Sequence, residues 1–445
     1  MISKSNSSNY SDHRSTAAFV SFHLHTHLII MPSQLLQQTA IIGRDDGALA
    51  ISHHVDIPEL QDDMILVKNV AVALNPIDAK MVGKLATPGA IAGMDFAGEV
   101  ISIGRNAHPA ACIQIGDRVC GAVPGMHSLT PTVGAFSQFV GAADITTVKI
   151  PPHMSFEEGA SFGSGIGTIG LALFKSLRVP GTPSHPAEKP RDVLVYGGST
   201  ATGTLAIQLI KLSGLNPIVT CSPRNFDLVR SYGAAAVFDY KQPSCTDDIR
   251  KHTRNSLKFV LDCIAEPETM QFCYKCLGRA GGKYTALEPY PEFLHDRPKT
   301  VTPDWVLGPT ILGKKLGWPA PFAKEADAEQ RKFGIEWFTT AQKLLDEGKL
   351  KPHPIRVMEG GFDGVFEGLD LLKKKTISGQ KLVCRVRDCS DGEIDKILAE
   401  AGEKRYLVQF KDRPEFKKWI GVEELGKKPS VLYDWYKSKW AEADV

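Results

Sequence analysis

A glycine-rich turn between an apolar strand and a helix is the part of this sequence best suited to bind a nucleotide. The apolar run Val193–Tyr196 predicts a buried strand, and Leu205–Leu212 has the spacing of a helix. Between them lies Gly197-Gly198-Ser199-Thr200-Ala201-Thr202-Gly203. Such a turn lets backbone N–H groups and the positive end of the helix approach a pyrophosphate. The plain GxGxxG spacing is missing, so a tight turn without a ligand is the alternative.

The residues after the next strand predict which dinucleotide this site would hold. Pro217–Cys221 is typical of a second strand, and Ser222-Pro223-Arg224-Asn225 follows it. An NAD site places an acid here for the ribose hydroxyls, whereas the first acid after this strand is Asp227. A hydroxyl and a guanidinium bind a 2′-phosphate that a carboxylate would repel, so we predict NADPH. The alternative is that Arg224 is only a solvated side chain.

Repeated strand–turn–helix units must position these residues. Ala234–Asp239 and Phe259–Cys263 read as further strands with helical spacing between them, which predicts an α/β fold with a doubly wound parallel sheet. Ahead of it, residues 36–150 contain short alternating strands with frequent glycine, such as Ile65–Val72 and Asp117–Val123. This pattern predicts a preceding all-β domain.

Composition excludes several classes of protein. The chain has 445 residues, and its 52 Lys and Arg against 50 Asp and Glu give no reason to expect binding to nucleic acid or to a membrane surface. No run of about 18 apolar residues occurs, so no transmembrane helix is expected. The pair Cys273–Cys276 supplies two thiols where a structural zinc site needs four ligands. We expect ordinary thiols in a reducing, cytoplasmic compartment and no bound metal.

The two ends of the chain differ in composition from its middle. Residues 1–33 are rich in Ser and His and predict a disordered leader, with a transit peptide as the alternative. Residues 388–445 hold three of the six Trp in a charged stretch, which predicts a small separate module.

Several motifs together resemble the medium-chain dehydrogenase/reductase family. They are Gly93-Met94-Asp95-Phe96-Ala97-Gly98-Glu99-Val100, Gly116-Asp117-Arg118-Val119 and Gly134-Ala135-Phe136-Ser137-Gln138-Phe139. The resemblance implies a GroES-like β-domain followed by a Rossmann domain. Zinc-dependent members carry a Cys where this chain has Ile77-Asp78, and Gly-His-Glu where it has Gly93-Met94-Asp95. A zinc-dependent alcohol oxidation is therefore not expected.

Within the zinc-free branch, the sequence is similar to trans-acting enoyl reductases that serve fungal highly reducing polyketide synthases of the lovastatin type. The similarity covers about residues 36–387 and rests on such phrases as Leu74–Met81, Tyr196–Thr202 and Thr220–Leu228. It implies a GroES-like catalytic domain at 34–160, completed by about 315–387, and an NADPH-binding Rossmann domain at 161–314.

The resemblance also implies roles for individual residues. Those beside the cofactor would be Ile77, Asp78, Ala79, Lys80, Thr200, Ala201, Thr202, Gly203, Ser222, Pro223, Arg224, Asn225, Tyr240, Leu287, Glu288, Ser378 and Gly379. Those lining an acyl pocket would be Ile169, Gly170, Leu171, Ala172, Leu173, Phe174, Lys175, Ser176, Val306, Leu307, Gly308, Pro309 and Thr310.

The implied reaction is reduction of an α,β-unsaturated thioester held by a synthase acyl carrier domain. Negative charge develops on the thioester oxygen, and a positioned cation or hydrogen-bond donor stabilises it. Lys80 is the first candidate for this role or for proton donation, and Thr168 is the second. Asp78 is a supporting carboxylate. The alternatives are a quinone or enone reductase of the same branch, or a chromatin or protein-interaction protein with a non-catalytic dehydrogenase scaffold.

The C-terminal segment resembles a chromo or chromo-shadow domain. Strands at Glu393–Leu398 and Arg405–Lys411 would precede a terminal aromatic-rich helix. The methyl-lysine cage of such domains acts by cation–π attraction and is incomplete here, because Gly392 and Arg413 fall at two of its positions. Binding or dimerisation with another protein is expected over histone reading, and a gene-model fusion or relic is a further alternative. A monomer is expected.

Overall fold

The computed structural model describes most of the chain between residues 37 and 421, namely residues 37–107, 112–290, 300–386, 394–401, 405–410 and 413–421. The predicted leader at 1–33 and the predicted C-terminal helix lie outside these residues. No helix within the described part has both the length and the apolar character needed to span a bilayer.

The strands and helices are numbered in chain order. The strands are β1 (Gln37–Gly43), β2 (Leu49–Asp56), β3 (Met64–Ala73), β4 (Asp95–Ile103), β5 (Arg118–Ala122), β6 (Phe139–Ala143), β7 (Thr147–Lys149), β8 (Asp192–Tyr196), β9 (Asn216–Cys221), β10 (Ala236–Asp239), β11 (Phe259–Asp262), β12 (Gly282–Ala286), β13 (Val301–Trp305), β14 (Ile355–Met358), β15 (Lys381–Arg385), β16 (Ile394–Ala401), β17 (Arg405–Phe410) and β18 (Arg413–Gly421). The helices are α1 (Pro76–Lys80), α2 (Phe156–Ala160), α3 (Gly163–Gly170), α4 (Ala201–Leu212), α5 (Phe226–Ser231), α6 (Cys245–His252), α7 (Pro267–Cys276), α8 (Ala328–Asp346) and α9 (Phe362–Lys373).

A seven-stranded sheet forms the β-rich part of the fold, as the alternating pattern predicts. Its order is β14-β15-β3-β4-β5-β7, and β6 pairs with β3. Most pairs are antiparallel, and the late strand β15 returns to pair with β3 through Val383 opposite Ala73. The first half of the chain therefore cannot complete this sheet without residues that lie about 300 positions later.

The second sheet is parallel and six-stranded, in the order β10-β9-β8-β11-β12-β13. In chain order this is 3-2-1-4-5-6, the arrangement of doubly wound nucleotide-binding folds. Val193, Leu194 and Val195 on the central strand are fully buried, as expected for a strand with helices on both faces. The predicted fold class is confirmed. The edge strand β13 was not predicted, because Val301–Trp305 contains a proline and two polar residues and lacks a continuous apolar run.

The cysteines and the C-terminal strands complete the description. Cys273 and Cys276 are both buried on α7, where removal from water raises the pKa of each thiol. Strands β16, β17 and β18 form an antiparallel three-stranded sheet in which each pairs with its chain neighbour. The third of these strands was not predicted.

Candidate active site

One cavity of about 860 Å³ brings residues of both sheets together. The glycine-rich turn and the ends of β8 and β9 line it on one side, while α1 and residues before β15 line it on the other. The predicted site residues in its wall are Ile77, Ala79, Lys80, Thr168, Thr200, Ala201, Thr202, Ser222, Arg224, Tyr240, Leu287, Glu288, Val306, Leu307, Gly308, Pro309, Ser378 and Gly379. Residues that are up to 302 positions apart in the sequence therefore face one space.

The glycine-rich turn closes tightly onto the start of α4. A Cβ on Gly198 would lie 2.0 Å from Cγ1 of Val219, and one on Gly203 would lie 2.5 Å from the Gly197 carbonyl oxygen. Thr200 caps the helix, because its Oγ1 accepts a hydrogen bond from the Gly203 N–H at 3.0 Å. Thr200, Ala201 and Thr202, at the start of this 12-residue helix, line the cavity. The two glycines let the turn, the strand and the helix pack closely, and the positive end of the helix at the cavity fits a pyrophosphate.

The end of β9 presents a hydroxyl and an unpaired cation to the same cavity. Ser222 Oγ lies 3.4 Å from the Tyr240 hydroxyl. The exposed Arg224 forms no ion pair or side-chain hydrogen bond with any residue that the structure describes. Asn225 Nδ2 donates to Ser378 Oγ at 2.9 Å, so the returning C-terminal segment rests on this corner. A free guanidinium beside a hydroxyl suits a phosphate monoester.

Buried Asp262 holds the adjacent loop at the end of β11. Its Oδ1 accepts hydrogen bonds from the N–H groups of Ile264 and Ala265, and its Oδ2 accepts from Thr269 and Tyr284. Burial raises the pKa of this carboxyl, and the four donors oppose that rise. The arrangement fixes one wall of the cavity beneath the turn.

Lys80 ends α1 and reaches across the cavity to Glu288. Its Nζ lies 2.6 Å from Glu288 Oε1, with 49% of the lysine side chain exposed and 23% of the glutamate. The pair joins the β-rich part of the fold to the loop after β12. It keeps the ammonium in the cavity wall, and the sequence did not predict the contact.

Thr168 offers a second donor in the cavity wall. It lies on α3, and no residue in the described parts of the chain accepts or donates a hydrogen bond with its hydroxyl. A Cβ on Gly308 would come within 2.6 Å of Thr168 Oγ1. The loop Val306–Pro309 can therefore close over this hydroxyl because position 308 has no side chain.

Asp78 is buried behind the cavity. Its Oδ2 accepts a hydrogen bond from the Asn75 N–H at 2.7 Å and so caps α1. Its Oδ1 has no hydrogen-bond partner among the described residues. Burial raises the pKa of this carboxyl to about 7, and Asp95 adds to the rise while Lys381 opposes it.

Several predicted residues lie outside the cavity wall. Ile169–Ser176 run through the end of α3 and a following π-helical turn, and most of their side chains pack in the core. Trp337 is part of that packing, since its indole ring would meet a Cβ added at Gly170 at 2.2 Å. Gly203, Pro223, Asn225 and Thr310 are close to the cavity but do not line it.

Sequence reasoning missed five residues that the fold brings to this region. Lys381 and Asp95 form a buried ion pair at 2.9 Å. Lys375 lines the cavity and pairs with Glu266. The imidazole of His353 is also in the wall, where burial lowers its pKa to about 4. The one sequence signal for Lys381 was a lysine directly before the apolar run Leu382–Cys384, which is ambiguous without its partner.

The cavity wall combines a helix N-terminus, an arginine with no ion partner among the described residues, and two donor side chains, Lys80 and Thr168. No group of three or more His, Cys, Asp or Glu side chains spaced to hold a metal occurs within the described ranges. The apolar side chains Trp305, Val306, Leu307, Trp318 and Phe322 complete the wall and suit an aliphatic ligand.

Two family models match the chain. Residues 61–152 match the alcohol dehydrogenase GroES-like domain, and residues 201–286 match the zinc-binding dehydrogenase model. The two matches fall on the β-rich sheet and on the parallel sheet respectively.

Curated relatives cover most of the chain. It is 67% identical over 345 residues to a trans-enoyl reductase of Gibberella zeae, which covers 78% of this chain and 96% of that protein. It is 54% identical over 346 residues to a trans-enoyl reductase of Gibberella fujikuroi, covering 78% of this chain and 97% of the relative. A trans-enoyl reductase of Aspergillus niger is 50% identical over 365 residues, which cover 80% of this chain and 98% of the relative.

Solved structures with the same fold are more distant in sequence. The CurK enoyl reductase superposes with a TM-score of 0.61 at 17% identity and covers 79% of this chain and 100% of its own. An alcohol dehydrogenase superfamily protein from Novosphingobium aromaticivorans gives a TM-score of 0.63 at 20% identity and covers 79% of this chain and 100% of its own.

Proposed function

Since the chain belongs to the zinc-binding dehydrogenase, or medium-chain dehydrogenase/reductase, family of oxidoreductases, we propose that it is a trans-acting enoyl reductase that uses NADPH. Its substrates are α,β-unsaturated polyketide thioesters carried by the acyl carrier domain of a polyketide synthase, in secondary metabolite biosynthesis. The observation that carries the proposal is one cavity in which a pyrophosphate cradle, a free arginine, two candidate donors and an apolar wall meet.

NADPH fits the donors on the nucleotide side of the cavity. The first-turn N–H groups of α4 hold the pyrophosphate, and Ser222 with Arg224 holds the 2′-phosphate. Tyr240 faces the adenine side, and Leu287-Glu288 faces the nicotinamide ribose. When bound, the cofactor supplies the hydride that is added to the β-carbon of the thioester.

Lys80 and Thr168 act on the negative charge that the reduction produces. The thioester oxygen gains charge as the β-carbon is reduced, and a donor that is already oriented stabilises it at low reorganisation cost. Glu288 holds the Lys80 ammonium at 2.6 Å, which keeps the lysine side chain in the cavity wall. The Thr168 hydroxyl is available as a donor to the same oxygen. Lys80 is also the group from which a proton can pass to the α-carbon.

The apolar wall holds the acyl chain and excludes water. Trp305, Leu307 and Phe322 face the cavity beside Thr168. A chain laid against them leaves its polar thioester end toward Lys80. Holding the reacting carbons in one orientation supplies a large part of the rate.

The C-terminal residues 388–445 are proposed to be a separate chromo-like module that binds another protein. Support comes from the antiparallel order β16-β17-β18, whose strands pair with one another and with no other strand that the structure describes. Truncation after Val386 is expected to leave NADPH-dependent turnover within about twofold. A loss of turnover on truncation would contradict a separate module.

Single-turnover oxidation of the cofactor tests the proposed activity. Purified enzyme with NADPH is mixed with enoyl thioesters of increasing chain length, and absorbance of the reduced nicotinamide is followed. We expect NADPH to be oxidised fast in the presence of thioesters, and NADH to be oxidised slowly with the same thioesters. Faster oxidation with free quinones than with any thioester would favour a quinone reductase. Absence of NADPH binding in a fluorescence titration would favour a non-catalytic scaffold.

A further inference from the structure

A buried ion pair lies behind the two candidate donors. Lys381 Nζ is 2.9 Å from Asp95 Oδ2, and only 7% of the lysine side chain and none of the aspartate side chain is exposed. Moving two charges out of water is expensive, and apolar side chains of similar volume often stabilise a fold at least as well. The pair therefore calls for an explanation other than stability.

The lysine side of the pair is bonded to the helix that carries Lys80. Lys381 Nζ also donates to Asn75 Oδ1 at 2.5 Å, and Asn75 is the residue immediately before α1. The Asn75 N–H in turn donates to Asp78 Oδ2 at 2.7 Å. The start of this five-residue helix is thus fixed to Lys381, and Lys80 is its last residue.

The aspartate side of the pair is bonded to the helix that carries Thr168. Asp95 Oδ1 accepts hydrogen bonds from Ser164 N at 2.6 Å and from Ser164 Oγ at 2.5 Å. Ser164 and Thr168 are four residues apart on α3 and so share one face of the helix. A Cβ on Gly163 would lie 2.5 Å from Asp95 Oδ1, so the helix approaches the carboxylate as closely as glycine allows.

We propose that Asp95 and Lys381 are positioning residues that set the distance between Lys80 and Thr168 by holding α1 and α3 to one buried ion pair. This inference rests on the proposed function, which gives Lys80 and Thr168 their roles. Neither Asp95 nor Lys381 has to touch the substrate, because each acts through a helix that it fixes.

The decisive variant removes both charges together. Lys381→Met alone leaves the Asp95 charge buried without its partner and is expected to unfold part of the population. Asp95→Leu combined with Lys381→Met replaces the pair by apolar groups of similar volume and is expected to keep the thermal midpoint near that of the wild type. It also removes every hydrogen bond from the pair to Asn75 and Ser164.

Two measurements on the double variant, amide hydrogen exchange and steady-state kinetics, test the positioning role. Amide hydrogen exchange reports on residues 75–81 and 163–168, where exchange is expected to quicken by about tenfold or more, without cofactor or substrate present. Turnover is expected to fall by about 10- to 100-fold with KM for NADPH and thioester within about threefold, since a shift of about 1 Å in a reacting group costs about that much. The matched control is Arg385→Met on the same strand β15, because the Arg385 side chain is 69% exposed and pairs with Glu157 at 2.5 Å. Both readouts should equal those of the wild type.

The outcomes separate the inference from the function on which it rests. A stable double variant with wild-type exchange in both segments, or with quickened exchange and wild-type kcat, would overturn the positioning role. Exchange that quickens in both segments together with the selective loss of kcat would establish it. If the wild type reduces no thioester, the proposed function fails, and the exchange measurement still decides whether the pair holds the two helices.

Discussion

Replacing Arg224 by alanine tests the cofactor assignment most directly. The guanidinium lies in the cavity wall beyond β9, close to Ser222, and is free of any ion pair with the residues described here. In the proposed complex it binds the 2′-phosphate of NADPH, a group that NADH lacks. The substitution should therefore weaken the binding of NADPH and leave the binding of NADH unchanged.

The size of the effect follows from the exposure of the side chain. Hydrogen bonds to charged groups contribute about 1.5–3 kcal/mol, and Arg224 is exposed, so the lower value applies. About 1.4 kcal/mol corresponds to a tenfold change in an equilibrium constant. We expect KM for NADPH to rise about tenfold, with kcat changed by less than about twofold.

Initial rates with varied NADPH and varied NADH, at saturating thioester, measure this selectivity. The matched control is Arg230→Ala on α5, because Arg230 is an arginine nearby in sequence that pairs with Asp227 at 3.2 Å and does not line the cavity. The control should leave both KM values within about twofold.

A result in which Arg224→Ala raises the KM values of NADPH and NADH equally would refute the reasoning, because the side chain would then contact a part common to both cofactors. An unchanged NADPH KM would show that Arg224 is only solvated. Ser222→Asp extends the test, since a carboxylate at this position should repel the 2′-phosphate and lower the preference for NADPH further.

Further predictions concern the donors, the turn and the buried carboxyl. Lys80→Met should lower kcat by at least tenfold, and turnover within about threefold of the wild type would remove Lys80 from the mechanism. Thr168→Val, which keeps the shape and removes the hydroxyl, should lower kcat by about tenfold or less without changing NADPH binding in a fluorescence titration. Gly198→Ala should lower the free energy of unfolding by about 1–3 kcal/mol in urea titrations and weaken NADPH binding, because the new Cβ would overlap Val219. The raised pKa of Asp78, about 7 against 3.8, means that the folded state binds a proton that the unfolded state releases. The stabilising contribution of this one carboxyl should therefore be fully present below about pH 3.8 and be lost as pH rises from there through 7. Asp78→Asn should flatten that loss in denaturation curves measured from pH 5 to 8.

Local sequence patterns were sufficient for the central strands of the parallel sheet and for one corner of the site. The run Val193–Tyr196 is apolar throughout because a central parallel strand is covered on both faces. Ser222 and Arg224 follow the second strand directly, so their nearness to the glycine-rich turn follows from the βαβ unit alone. The edge strand β13 was missed because Val301–Trp305 is only partly buried and carries no such run.

The sequence by itself determined the fold class and the glycine-rich turn between the first strand and helix of the parallel sheet, because each depends on residues close together in the chain. Only the tertiary structure decided which distant charges meet. Lys80 finds Glu288 across 208 residues, and Lys381 finds Asp95 across 286. The sequence around a charged side chain does not indicate which distant residue it pairs with. Both contacts arise only when β15 returns to the first sheet and the two sheets close around one cavity.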